Sequence, residues 1–319
     1  MKTLLRTARS AAILAAAASA ASAQAPAPGS VLIYPVHDSR ALLTVISLTN
    51  TDTDPGGDVR ATFRYVNAEP SANPLQSQHC STVFRGELLT PGDTITVLTA
   101  CHDLPGSSGF LVVSAQHPTG GFATSHNHLV GSTLVVHPEG SVYTLQPYTF
   151  AAIASTGSPT DADLDGMLDF DGTEYETLPE MLFADSFLAL SGTRLTLLHL
   201  TSSLDDDVLV KLDIQNDNEF PLSLTFMFRC WFELPLNQLS GVFSQAFLAT
   251  TPNDPDEFDV NCDGLGELET GWFRVRPLVS SGGGQVVLAP PVLGALTAGP
   301  FDAEGGRILW GSGSTSAEF

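Results

Sequence analysis

Basic residues are scarce in this chain. Thirteen lysines and arginines stand against thirty-five aspartates and glutamates in 319 residues, and Lys2, Arg6 and Arg9 use three of the thirteen within the first nine positions. From residue 24 onward ten basic residues face the same thirty-five acids, a net charge of −25, and Lys211 is the only lysine. Such a surface has few of the cations that replace counterions on nucleic acid or anionic lipid, which argues against both partner classes, whereas divalent cations suit it. Past the N-terminus no run approaches the ~18 apolar residues of a membrane helix. No twelve-residue window keeps a helical period, which disfavours an α/β fold. G-x-S-x-G, H-E-x-x-H and a glycine-rich phosphate loop after a strand are all missing, so the common hydrolase and nucleotide chemistries have no signature here.

What is present begins with an export signal. Lys2, Arg6 and Arg9 precede a small apolar run from Ala11, and Ala21-Ser22-Ala23 supplies an A-x-A cleavage site, so residues 1–23 are expected to be removed. No cysteine follows the run, so no lipid anchor is expected, and the product is expected to be extracellular, at the cell surface or periplasmic. Residues 24–30, rich in Ala, Pro and Gly, read as a flexible lead, and 311–319, rich in Ser and Gly, as a flexible tail. Between them lie short β-branched and aromatic runs such as Thr44 to Asn50 (TVISLTN) and Val59 to Asn67 (VRATFRYVN), separated by Asp, Gly and Pro clusters. That pattern predicts an all-β sandwich.

The second half repeats the landmarks of the first. Met181-Leu182-Phe183 answers Leu32-Ile33-Tyr34, TLLHLTS from Thr196 answers TVISLTN, and VLVKLDIQN from Val208 answers VRATFRYVN. Cys80 lies thirteen residues after Asn67 and Cys230 fourteen after Asn216, and Gly109-Phe110 and Gly271-Trp272 follow in the same order, with Gly131 and Gly294 closing the series. The reading is two tandem β-sandwich domains from an internal duplication, residues 31–154 and 180–310, joined by a linker over 155–179. Their general architecture resembles immunoglobulin-like modules. In an oxidising compartment one cystine per copy predicts Cys80 with Cys101 and Cys230 with Cys262, among three possible pairings.

The linker carries Asp161-Ala-Asp-Leu-Asp-Gly-Met-Leu-Asp-Phe-Asp-Gly-Thr-Glu174. Asp161, Asp163 and Asp165 alternate before Gly166, and Asp169 falls at loop position nine, so several carboxylates converge on one ion while the glycine takes the sharp bend. Over 161–176 the stretch resembles the calcium loops of EF-hand proteins and thrombospondin type 3 repeats, which implies calcium as the bound ion. It departs at position twelve, where Gly172 replaces the bidentate Glu, and Glu174 is the nearest substitute. A second stretch, Asp259, Asn261, Asp263 and Glu267, resembles the start of a dockerin calcium loop but has Thr270 at position twelve. His126 and His128, at i and i+2, lie on one face of a strand and form a possible zinc or copper pair, with surface histidines as the alternative.

The function expected from these residues is that of an exported, non-enzymatic structural, adhesive or recognition protein with a calcium-stabilised junction, its partner a protein or glycan at the cell surface. A carbohydrate-binding module is the first alternative, given aromatics such as Trp231, Trp272, Phe273 and Trp310. A secreted hydrolase using carboxylates such as Asp103 with Glu87, or a copper or zinc enzyme built on the histidines, is the second.

Overall fold

A computed structural model describes residues 27–41, 43–69, 79–137, 142–189, 192–201, 203–251, 269–282, 285–298, 305–315 and 318–319. The expected signal (1–23), the second candidate metal stretch (Asp259, Asn261, Asp263, Glu267) and Cys262 lie outside them. The described chain is all-β. The alternation seen in the sequence becomes two-faced strands: Leu43–Asn50 buries Thr44, Ile46, Leu48 and Asn50 and turns the residues between them outward. Helices among the described residues are single turns of four residues or fewer, such as Thr99–His102 and Gln245–Leu248.

Among the described residues nine strands form the first half: β1 (Val31–Asp38), β2 (Leu43–Asn50), β3 (Val59–Ala68), β4 (Cys80–Leu89), β5 (Thr94–Leu98), β6 (Ser108–Gln116), β7 (Leu129–Val136), β8 (Val142–Leu145) and β9 (Tyr148–Phe150). Ten follow: β10 (Met181–Leu188), β11 (Arg194–His199), β12 (Asp207–Asn216), β13 (Pro221–Arg229), β14 (Trp231–Pro235), β15 (Thr270–Gly282), β16 (Gln285–Leu288), β17 (Val292–Ala298), β18 (Gly305–Ile308) and β19 (Trp310–Ser312). The first half orders its strands β4-β3-β6-β1-β9 in one sheet and β5-β2-β7-β8 in the other. The second orders them β13-β12-β15-β10-β19 and β14-β11-β17-β18, with β16 added as a hairpin on β15. All pairings among the described residues are antiparallel.

The two strand orders correspond one for one once β16 is set aside, and so do local irregularities. The register of β1 against β6 slips between Tyr34 and His37, and that of β10 against β15 between Ala184 and Phe187. Just past each bulge stands a glycine, Gly109 or Gly271, where a Cβ would collide with the carbonyl of Val66 or Gln215 on the next strand. Asn67 faces Gly109 and Asn216 faces Gly271, so the match of Val59–Asn67 with Val208–Asn216 holds in register. The match at the first strand is off by one. Val31 pairs with Phe150 and Met181 with Ser312, so Met181 occupies the place of Val31, not of Leu32.

The halves are not separate bodies on a hinge. All of β1 and nearly all of β6 are buried on both faces. Leu32, Tyr34, Leu111 and Val113 point into the first sandwich with Ile46, Leu48 and Phe63. Val31, Ile33, Phe110 and Val112 point the other way, into a core shared with Phe150, Phe170, Tyr175 and the interior of the second half. Each such buried aromatic contributes about 2–3 kcal/mol of transfer free energy. Polar contacts cross the same seam. The Tyr148 hydroxyl lies 2.6 Å from the carbonyl oxygens of Gly294 and Leu309, and the Trp231 indole N–H donates to Pro35 O at 3.0 Å. The segment read as a free linker is itself tied down, Ser125 N donating to Ser158 O and Gly157 N to Ser125 O. The expected flexible ends are likewise partly ordered. Gly29 bridges to Leu129. Trp310–Ser312 is a strand, and Phe319 is 1% exposed beneath the Arg64 guanidinium.

The cystine pairing also differs from expectation. Cys80 is joined to Cys230 across the halves, and exposed Cys101 has no sulfur partner among the described residues. The cause is the length of two connections. β4 is reached only after residues 69–79, so Cys80 opens the strand opposite Ala68. β13 follows β12 through a tight turn, so a similar count from Asn216 carries Cys230 past the far end of its strand, beyond Arg229 opposite Asp207. Similar offsets therefore land at opposite strand ends. Closing a separation of 150 residues removes about 5 kcal/mol of chain entropy from the unfolded state on the loop-closure model.

Two outcomes are expected. Proteolytic mapping without reduction should recover Cys80 linked to Cys230, and a Cys80–Cys101 peptide would contradict the seam. His199 is 1% exposed with Nδ1 unpartnered, and burial pushes its pKa down to about 4. Its unfolded-state value is near 6.5, so the unfolded chain takes up the proton first as pH falls. The stability tied to neutral His199 is complete above pH 6.5 and drains away toward pH 4, by up to about 3 kcal/mol. Urea unfolding at pH 7 and pH 4.5 should show a loss that shrinks in His199→Gln.

Candidate calcium site

Residues 161–175 fold as a compact loop on the first half. The loop is anchored from beneath by Phe170 and Tyr175, both fully buried, with the Tyr175 hydroxyl 2.8 Å from Thr160 Oγ1. Its rim is pinned to the last residues of the chain, Leu168 and Phe319 exchanging backbone hydrogen bonds of 2.8 and 3.1 Å. Gly166 and Gly172 take φ of +82° and +83°, the left-handed turns that bend the backbone inward, and Leu164 adopts +65° at the exposed tip.

The first three aspartates of the loop are each oriented by a backbone N–H two to five residues on. Gly166 N donates to Asp161 Oδ2 at 3.0 Å, Asp165 N to Asp163 Oδ1 at 3.3 Å, and Met167 N to Asp165 Oδ1 at 2.8 Å. One ligand atom from each of Asp161, Asp163 and Asp165 lies within 4.8 Å of the others, and Asp163, Asp169 and Glu174 form a second such group. Asp163 belongs to both, so the five carboxylates named from the sequence fall into two adjoining groups of three that share it. Glu174 arrives where Gly172 supplies nothing because Asp171 Oδ1 accepts from the N–H groups of Thr173 and Glu174, closing a turn, while Tyr175 plunges into the core beside it. Glu174 is 4% exposed and accepts from Ala162 N.

The arrangement is costly without a counter-charge. Asp161 Oδ1 and Asp169 Oδ1 are buried and lack hydrogen-bond partners. Asp169 is pushed up to about 6, first by burial and then by the charges of Glu174 and Asp165, and burial also raises Glu174. Hard oxygen donors and negative charge fit calcium better than a nitrogen- or sulfur-seeking metal.

The remaining candidates are dispersed. His126 is buried and places Nε2 2.8 Å from Asn50 Oδ1. Asn50 Nδ2 donates to the carbonyls of Gly57 and Thr90, so its Oδ1 is the acceptor and His126 Nε2 carries the proton. The ring of His128 lies 5.2 Å from that of His126, and neither joins a group of three metal-ligating side chains among the described residues. Asp103 lies inside the first sandwich, accepting from Asn67 Nδ2 and Ser107 Oγ, while Glu87 pairs with His102 at 3.3 Å, so the two do not face each other across a cleft. Trp231 and Phe273 are core residues, whereas Trp310 is 53% exposed and stacked on Phe183 with ring centroids 4.3 Å apart.

The sequence reading missed Arg64. It lies in the outward-facing series Arg60, Thr62, Arg64 of β3, and its alternation in VRATFRYVN was the available signal. No family model, no curated protein and no solved structure matches the chain.

Proposed function

We propose that this is an exported, calcium-binding recognition or adhesion protein, built from two copies of one immunoglobulin-like sandwich that arose by internal duplication. The duplication is supported by the two corresponding strand orders, the paired bulges and the paired glycines Gly109 and Gly271. The calcium reading is carried by one observation: two groups of three carboxylates share Asp163 in a loop where two buried oxygens, on Asp161 and Asp169, have no partner. Binding rather than catalysis is favoured by the interior position of Asp103, and export by the charge balance and the cystine. The ion's role is to hold the loop against the first sandwich, not to lock a hinge, because the halves already share a core. A carbohydrate-binding reading draws support from the exposed Trp310–Phe183 stack on the outer face of the second half's larger sheet.

Calorimetric titration with calcium tests the proposal. Extracellular calcium modules bind at ~0.1–1 mM, so calcium at ten times the dissociation constant adds about 1.4 kcal/mol by linkage. A Tm rise of roughly 3 °C is the expected readout, and magnesium should give much less. Asp163→Ala, which removes the carboxylate common to both groups, should abolish the rise. No heat of binding at 10 mM calcium, a concentration of roughly ten times the weaker dissociation constant, would refute the reading.

A further inference from the structure

The outer face of the sheet β4-β3-β6-β1-β9 is covered by the shared core over β1 and β6 but opens toward β4. There a cleft of about 240 Å³ lies between the sheet and the calcium loop. Its floor presents Thr62 and Arg64 from β3 and Ser114 and Gln116 from β6, flanked by the exposed rings of Phe84 and Phe122. The volume falls below the roughly 300–1,000 Å³ of a drug-sized site and suits a single ring.

Arg64 gives the cleft its chemistry. Its guanidinium carbon sits 3.8 Å from the Phe319 ring centroid and 5.8 Å from that of Phe84, and its Nε is buried without a hydrogen-bond partner. Burial disfavours its charge, and only the ring faces, with no carboxylate among the described residues, offset that. Arg40, Arg194, Arg229, Arg276 and Arg307 each pair with a carboxylate. Arg64, like Arg60, Arg85 and Arg274, forms no ion pair among the described residues, and of these four it is the one that with Thr62 floors the cleft. A guanidinium fixed between two rings and facing a cleft is preorganised for a planar, two-oxygen acceptor brought by a ligand. Hydroxyl and amide groups beside it, with aromatic faces at the rim, match the hydroxyls and the apolar face of a sugar ring.

We propose that this cleft binds a hexuronate unit of an acidic glycan, its carboxylate on Arg64, its hydroxyls on Thr62, Ser114 and Gln116, and one ring face against Phe122. Asp161 lines the same cleft and belongs to the carboxylate group Asp161, Asp163 and Asp165. Resting on the calcium reading, a second consequence follows: the ion neutralises Asp161, so calcium strengthens uronate binding and uronate strengthens calcium binding by the same factor.

The test is titration of calcium-loaded full-length protein with D-glucuronate, with the uncharged D-glucuronamide and with the amide of N-acetylaspartate, alongside calcium titrated by itself. Glucuronate should bind at least tenfold more tightly than either comparator. Arg64→Gln should erase the preference, Arg64→Lys should keep part of it, and Phe122→Ala, at an exposed position, should weaken both sugars several-fold. Chelation should weaken glucuronate binding several-fold. Protein that takes up calcium yet binds glucuronate no better than glucuronamide overturns the cleft assignment while leaving the calcium reading intact. Tighter binding of the aspartate amide overturns the sugar in favour of an acidic peptide. Glucuronate affinity unchanged by chelation overturns the coupling.

Discussion

The sheet β4-β3-β6-β1-β9 is buried on both sides along β1 and β6, and the rest of the molecule is arranged around that constraint. A strand with two apolar faces must be covered twice. One cover is the partner sheet β5-β2-β7-β8, with Ile46 and Leu48 against Leu32 and Leu111. The other is assembled from distant sequence: Phe150, Phe170, Tyr175, Phe319 and the interior of the second half. Because those pieces come from the end of β9, the loop, the last residues and β10–β17, the second half docks through the same surface that holds the acidic loop.

This explains why a loop with so much negative charge is ordered at all. Repulsion among its carboxylates favours opening, whereas Phe170 and Tyr175, fully buried on either side of Asp171, hold it down. The apolar anchors and the carboxylates alternate along one short stretch, so the loop faces the core with one set and gathers its acids with the other. On the calcium proposal, a cation would add stability to a geometry already imposed by packing, which is why the effect expected of it is modest. The cleft beside Arg64 exists for a related reason: the loop and Phe319 cover β6 but stop short of β4, leaving polar β3 residues between them.

Much of this was legible in the sequence, and what was not has physical causes. Alternation in TVISLTN and VRATFRYVN marked true strands, because one face of each is buried. That Asp161, Asp163, Asp165, Asp169 and Glu174 would lie near one another was legible because they sit at short local spacing in one loop. The cystine was not, since counting residues from Asn67 and Asn216 ignores that one connection is long and the other a tight turn. Nor was the docking of the halves. VLIYPVHD reads as an apolar strand whether one face or both are buried, and only the presence of two apolar surfaces in space distinguishes a shared core from a hinge. Phe319, alone among polar neighbours, carried no periodic signal for its burial.

The central claim is that the loop's carboxylates enclose one ion, and a crystal structure of protein grown in calcium, with anomalous density recorded at a long wavelength, tests it most directly. The account predicts a single peak with oxygens of Asp161, Asp163, Asp165, Asp169 and Glu174 among its ligands, at the roughly 2.3–2.6 Å of calcium coordination. A loop of the same conformation with no peak among those carboxylates, or a peak bound only at the exposed tip through water, would contradict it.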